Sequence, residues 1–398
     1  MTEQKFVSFR WVMLGLGCFL QLLYTWNLMA IPALAKYIMS ELNLTYTMFM
    51  SLSQAIMIAS IVLAILGGAL ADRFGIKRTI IISGLIGGVF GLLKGFSTSY
   101  IQFLCFTILQ GFGAAFLLPN MAKLVRDWFP PRQIGIANGI NSAVYALGMT
   151  LGLALTYPVF GTQWRLALYV TNGLFILVVI IWFIIAKEIK RETKTKPSLI
   201  LDVSRVSKQK DVWMISFLSA LTMGGGMFFV QLSPVAFVTA RSADPAIAGA
   251  IASFNTIGAF AGNLILAFVS DKIGLRKPFL IYAPLLGGLC LYLAWNLPFG
   301  VSTSIFTALS GFFTGGLVSI LTTTITEHPS IPQGFLGTAI GFRTSISNIF
   351  TFMISLLGGY IVDITLGYDS AFLYAAILLA VSSVFAVFTS ETGTRRRI

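Results

Sequence analysis

The feature that most constrains this chain is a series of twelve mostly apolar stretches, each about the length a helix needs to cross the ~30 Å core of a bilayer. They fall at 11–35, 46–71, 79–96, 101–125, 134–160, 164–186, 212–239, 246–270, 279–297, 302–326, 335–362 and 371–389, each bounded by Gly, Pro, Asn or charge. Inside lipid every backbone N–H and C=O must be satisfied within the segment, so stretches of this length are helices. Composition agrees: 57% of residues are hydrophobic and 10% charged, against about 45–50% and 25% for a soluble domain. A water-soluble enzyme of ordinary design is excluded, and 34 Phe with only 13 Pro exclude a disordered chain. The gaps between stretches are too short for a large extramembrane domain. The expected fold class is an all-α membrane protein of twelve transmembrane helices.

Charge placement orients the chain. With the N-terminus cytoplasmic, 22 of the 27 Lys and Arg fall on the cytoplasmic side, including the Arg395-Arg396-Arg397 tail. The opposite orientation violates the positive-inside rule. Both termini are therefore expected in the cytoplasm of a prokaryotic cell, with the chain integral to its plasma membrane. Topology accounts for the net charge of +13, and no nucleic-acid partner is expected. Ala33-Leu34-Ala35 resembles a signal-peptidase site, but the preceding run is longer than the apolar core of a signal peptide and carries Gln21, Tyr24 and Asn27. Cys18, Cys105 and Cys290 lie within spans and read as small buried hydrophobes.

The chain also repeats itself. After the second span comes Gly68-Ala69-Leu70-Ala71-Asp72-Arg73-Phe74-Gly75-Ile76-Lys77-Arg78, and after the eighth Ala267-Phe268-Val269-Ser270-Asp271-Lys272-Ile273-Gly274-Leu275-Arg276-Lys277. The aspartates are 199 residues apart, Gly111-Phe112 and Gly311-Phe312 are 200 apart, and Gly135 and Gly337, which open similar segments, are 202 apart. Three matches near one offset indicate a six-plus-six duplication.

These loops, with Arg126-Asp127-Trp128-Phe129-Pro130-Pro131-Arg132, resemble the major facilitator superfamily over essentially the whole length. The resemblance implies two pseudo-symmetric six-helix bundles around a central cavity that opens alternately to each side, with the binding site near the midplane. The boundaries expected are a first bundle at 1–186, a basic linker at 187–210, a second bundle at 211–390 and a basic tail at 391–398. The linker, with eight basic residues, suits docking on anionic lipid at about 1 kcal/mol per basic residue, or a solvated tether. The family resemblance makes Gly68, Asp72, Arg73, Gly75 and Arg78, with Asp271 and Lys272 in the second copy, a gating loop that latches one access state. Arg10-Trp11 with Tyr24-x-Trp26 also resembles oxalate/formate-type and monocarboxylate-type members.

Polar residues inside spans point to the cargo. Arg343 lies about eight residues, or ~12 Å, into the eleventh span, and no Asp or Glu sits at comparable depth in any span. A lone arginine at that depth costs at least about 2.5–3.5 kcal/mol. A cation with no built-in partner is expected to meet its partner in the substrate, and guanidinium matches carboxylate bidentately. Ser347 follows one turn later, and Asn141 is the counterpart of Arg343 at the 202-residue offset. Further candidate contacts are Tyr24 and Asn27 in the first span, and Gln54, Gln110, Gln231 and Asn255 in the second, fourth, seventh and eighth. Each of these could instead join helices, at about 0.6 kcal/mol per hydrogen bond.

The function expected is secondary active or facilitative transport of a small solute, an organic or inorganic anion, by a monomer working through alternating access. The alternative is an exporter of amphipathic compounds, although the Gly-Pro signature of such exporters is absent from Gly148-Met149-Thr150-Leu151-Gly152. No cofactor or metal is expected. One histidine and no deep carboxylate pair argue against an enzyme. His328 reads as solvated in a loop, and Lys94 as snorkelling from the end of the third span. With neither carboxylate nor histidine at mid-depth, exchange or facilitated movement is expected rather than tight proton coupling.

Overall fold

The computed structural model describes residues 3–59, 75–188, 204, 206–329, 331 and 336–393. Its helices are α1 (Glu3–Ala33), α2 (Ala35–Leu42), α3 (Tyr46–Gln54), α4 (Ile76–Leu93), α5 (Tyr100–Trp128), α6 (Pro131–Phe160), α7 (Trp164–Ile185), α8 (Lys210–Ala240), α9 (Pro245–Ile273), α10 (Lys277–Asn296), α11 (Val301–Glu327), α12 (Leu336–Thr365) and α13 (Asp369–Val387). Among the described residues, eleven helices are long and apolar enough to cross a membrane. The second expected span appears as the shorter apolar stretch Tyr46–Ala59, and its remainder lies outside the described residues. No strand occurs among the described residues.

Local chemistry sets the helix ends. Asp244 caps α9 by accepting from the Ala246 N–H at 2.8 Å, with Pro245 in the first turn, where its missing N–H costs nothing. The same helix stops at Gly274, which takes the left-handed conformation at φ 74°. Ser99 caps α5 through the Gln102 N–H.

The chain forms two compact units, Met1–Leu42 with Ala55–Lys194 and Asn43–Gln54 with Thr195–Ile398. The first is centred on Leu14, Leu20, Leu117, Leu124 and Trp182. The second is centred on Val212, Ile215, Leu218, Leu317 and Ile320.

The duplication has a structural counterpart inside each unit. A Cβ on Gly111 would strike the Ile56 carbonyl, and one on Gly311 would strike the Asn255 carbonyl. Both the glycines and their partners are about 200 residues apart. Backbones approach this closely only where a helix presents no side chain.

A second echo caps two helices. In the first unit Glu188 accepts from the backbone N–H groups of Ile76 and Lys77, at 2.9 and 2.8 Å. In the second, Glu391 accepts from those of Arg276 and Lys277, at 2.8 and 3.0 Å. A carboxylate satisfies orphan N–H groups at a helix start and meets the positive end of its dipole. Gly75, at φ 84°, turns the chain into α4, and a Cβ there would collide with the Glu188 carboxylate.

Candidate functional site

Helix α12 carries Arg343, Ser347, Thr351, Ser355, Gly359 and Asp363 at four-residue steps. Residues four apart are neighbours on a helix surface, so the polar members form a continuous lane. Ser347, Thr351 and Ser355 are fully buried.

Arg343 occupies one end of this lane and is 9% exposed. Its Nη1 donates to Ser219 Oγ and its Nη2 to Thr322 Oγ1, each at 3.3 Å, while Nε has no hydrogen-bond partner. Ser347 Oγ donates to the same Ser219 Oγ at 2.9 Å. No carboxylate pairs with Arg343 among the described residues. The contacts are long for a charged donor, which reaches an ionised acceptor at about 2.7–2.9 Å. Five N–H donors in a rigid fork thus meet two hydroxyls, leaving the guanidinium short of acceptors and of negative charge.

The other end is fully committed. Asp363 accepts from the backbone N–H of Tyr46 at 2.8 Å, from that of Thr47 at 2.9 Å and from Thr47 Oγ1 at 2.6 Å, capping α3. Gln54 at the opposite end of α3 donates to Ser355 Oγ at 3.0 Å, its own Oε1 unpaired. Tyr46 and Thr239 each share a hydroxyl hydrogen bond with Tyr368, whose phenol burial holds well above its ordinary pKa.

The remaining expected contacts separate by unit. In the first, Gln110 Nε2 donates to Asn27 Oδ1 at 3.0 Å and Asn27 Nδ2 to Thr171 Oγ1 at 3.1 Å, a buried chain through α5, α1 and α7. Tyr24 is buried with its ring near Phe175, and Asn141 is half-buried with an unpaired Oδ1. In the second unit Gln231 is buried with an unpaired Oε1. Asn255 donates to the Thr307 carbonyl at 3.3 Å and so joins α9 to α11.

Of the expected gating residues, Gly68, Asp72 and Arg73 lie outside the described residues. Arg78 and Lys272 are exposed. Asp271 pairs with Arg276, which also holds Glu327 through Nε and Nη2 at 3.1 and 3.0 Å. The Glu327 hydrogen bonds raise the Arg276 pKa above its ordinary value, with Asp271 adding to the effect against the cost of burial.

Three sequence expectations are corrected. Lys94 does not snorkel: it is 1% exposed, in the tight turn Lys94–Phe96. His328 is buried rather than solvated, with Nε2 3.2 Å from Asp211 at the start of α8. Cys105 is exposed, whereas Cys18 and Cys290 are buried. Ser219 and Thr322 were not anticipated. Ser219 belongs to a visible signal, the buried step Ser216, Ser219, Thr222 on α8. Thr322 sits in a Thr322-Thr323-Thr324 run where nothing local distinguishes it.

A doubled, helical membrane chain holding an unneutralised cation in a buried polar lane has the build of a solute carrier. The Major Facilitator Superfamily profile matches residues 16–240 and 215–397, and the chain belongs to that superfamily. It is a transporter and not an enzyme. The chain is 25% identical to a hexuronate transporter of Bacillus subtilis (strain 168) over 389 residues, covering 90% of this chain and 89% of that protein. It is 22% identical to a probable sulfoacetate transporter of Cupriavidus necator, covering 98% and 95%. Its fold resembles a crystal structure of a point mutant of the nucleoside transporter NupG, with a TM-score of 0.80, 16% identity and coverage of 94% of this chain and 98% of that one.

Proposed function

We propose that this protein carries a small organic anion, bearing a carboxylate or sulfonate, across the membrane by alternating access, and that Arg343 binds its charged group. The observation that carries the reading is a buried guanidinium with an unpaired Nε, two long hydroxyl contacts and no acidic partner among the described residues. Burying such a cation is costly unless a partner arrives, and a planar oxyanion group offers acceptors matched to its fork. Ser219 and Thr322 hold the guanidinium, Ser347 donates to Ser219, and the three offer hydroxyls to the rest of the anion. The names of the relatives support the same chemistry, since hexuronate and sulfoacetate are both organic anions. They give no support to an exporter of amphipathic compounds. The distribution of Lys and Arg supports a cytoplasmic location for both termini.

Counterflow into liposomes tests this. Purified protein in liposomes loaded with hexuronate, glucarate or sulfoacetate is expected to exchange at least one of them saturably, and R343Q to lose that exchange while inserting normally. Undiminished exchange by R343Q removes the anion-binding role.

A further inference from the structure

A groove of about 290 Å³ runs along the surface of the second unit between α10 and α13. The two helices are antiparallel: Ser383 Oγ of α13 donates to the Ile281 carbonyl of α10 at 2.8 Å, and Trp295 of α10 bonds to Asp369 of α13. The groove lies between these two links. Its floor forms where the helices nearly touch, since a Cβ on Gly288 would come within 2.8 Å of the Ala376 carbonyl. Leu285, Leu289 and Tyr292 stand along one wall and Leu373 and Ile377 along the other, all exposed. From Leu285 to Tyr292 the groove rises ~10 Å, within one leaflet of a ~30 Å hydrocarbon core.

Exposed apolar residues are ordinary on a helix that faces lipid, so the recess alone names no ligand. Its closed end does. Trp295 lies one turn beyond Tyr292 and Asp369 one turn before Leu373, so each wall continues into one of them. The Trp295 indole N–H donates to Asp369 Oδ1 and shuts the groove. Arg241, directly after α8, donates from Nη2 to the Trp295 carbonyl at 2.6 Å, with its guanidinium carbon 4.8 Å from the centre of the indole ring. Arg241 and Asp369 are both exposed, and neither has an ion-pair partner among the described residues. This cluster sits where α8 and α10 end and α13 begins, the level at which Trp and Tyr meet lipid headgroups.

We propose that the groove binds one phospholipid with a primary-amine headgroup, of the phosphatidylethanolamine class. One acyl chain lies between α10 and α13, the phosphate meets Arg241 and the ammonium meets Asp369. Guanidinium holds phosphate through paired N–H groups. One exposed cation beside one exposed carboxylate matches a zwitterion, whereas a purely anionic headgroup gains Arg241 but is repelled by Asp369. A primary ammonium offers three N–H donors to the carboxylate, and a trimethylated one offers none.

The test strips full-length protein of lipid in detergent and titrates it with dioleoyl phosphatidylethanolamine, phosphatidylcholine or phosphatidylglycerol, counting retained lipids by native mass spectrometry. Wild-type protein is expected to retain one ethanolamine lipid with about tenfold higher affinity than the other two, the factor one charge-assisted hydrogen bond supplies. R241Q, which keeps a donor for the Trp295 carbonyl, should weaken the ethanolamine and choline lipids together. D369N, which keeps an acceptor for the Trp295 indole, should lower the ethanolamine lipid to the choline level. A380F puts a ring into the recess at its other end and should displace the bound lipid, with the unfolding temperature as its folding control; if it folds poorly, the two headgroup variants decide. Equal retention of all three lipids by wild type, or an ethanolamine preference that survives in D369N, overturns the proposal. A dimer that A380F dissolves would seat a second copy of the chain in the groove and overturn it as well.

Discussion

Glu188 and Glu391, 203 residues apart, perform the same act in their separate units: each accepts two consecutive backbone N–H groups at the start of a helix. The repeated loop is therefore only part of what was duplicated. Its carboxylate clasp was copied too, from a segment more than a hundred residues further along the chain.

The clasp in the second unit is sensitive to acid. Burial raises the Glu391 pKa, but the N–H groups of Arg276, Gly393, Lys277 and Thr392 outweigh it and hold the carboxyl below its ordinary value. A depressed carboxyl contributes stability above its unfolded pKa, about 4.3, and loses it as pH falls toward the folded value. E391Q is expected to be less stable than wild type at neutral pH by about 0.5–1 kcal/mol, as for a partly solvated cap. The difference should shrink below about pH 4. Thermal unfolding in detergent across that range measures it, and a constant difference contradicts the assignment.

Ser219 should tune affinity rather than decide whether transport occurs. S219A removes one hydrogen bond to Arg343 and one to Ser347, each contributing about 0.5–1.5 kcal/mol. The half-saturating anion concentration in counterflow is expected to rise roughly 3- to 10-fold, with the maximal rate little changed. R343K, which keeps the charge but loses the planar fork, should fare worse than S219A.

Asp363 should stabilise the second unit by fixing α3. D363N keeps the size of the side chain but weakens the acceptor for Tyr46, Thr47 and the Thr47 hydroxyl. The expected loss is about 1 kcal/mol, typical of a helix cap. It would appear as a lower unfolding temperature, and an unchanged one would show that the cap is dispensable.

The close helix approaches give a paired test. G311A would push a methyl into the Asn255 carbonyl and G111A into that of Ile56, and each is expected to destabilise by about 1–3 kcal/mol through overpacking. G341A meets open space and should be neutral or slightly stabilising, since Ala favours helix over Gly. Comparable losses in all three would refute the packing argument.

Much of this protein is legible in one dimension, for physical reasons. Lipid demands long apolar helices, so hydropathy alone marks the spans, and Arg343 stands out because charge is rare at such depth. Ser219 is harder to see: its three-residue polar step is visible, but a serine in a span more often bonds its own helix, as Ser216 does with the Val212 carbonyl. Lys94 and His328 escape a linear reading because burial is a tertiary property. The Tyr169 and Arg165 contacts that tie down the Lys94 turn come from residues more than 65 positions away. The grouping of 43–54 with the second unit likewise depends on Asp363 and Ser355, more than 300 residues distant.

A step of four on a helix of 3.6 residues per turn does not run straight. Each step advances about 40° around the axis, so from Arg343 to Asp363 the row winds through about 200° while climbing roughly 30 Å. The two opposite charges of α12 thus face away from each other at a distance where neither can quench its counterpart. The helix keeps one sign free at one end while spending the other on holding α3, and no single neighbour can shield the whole spiral at once.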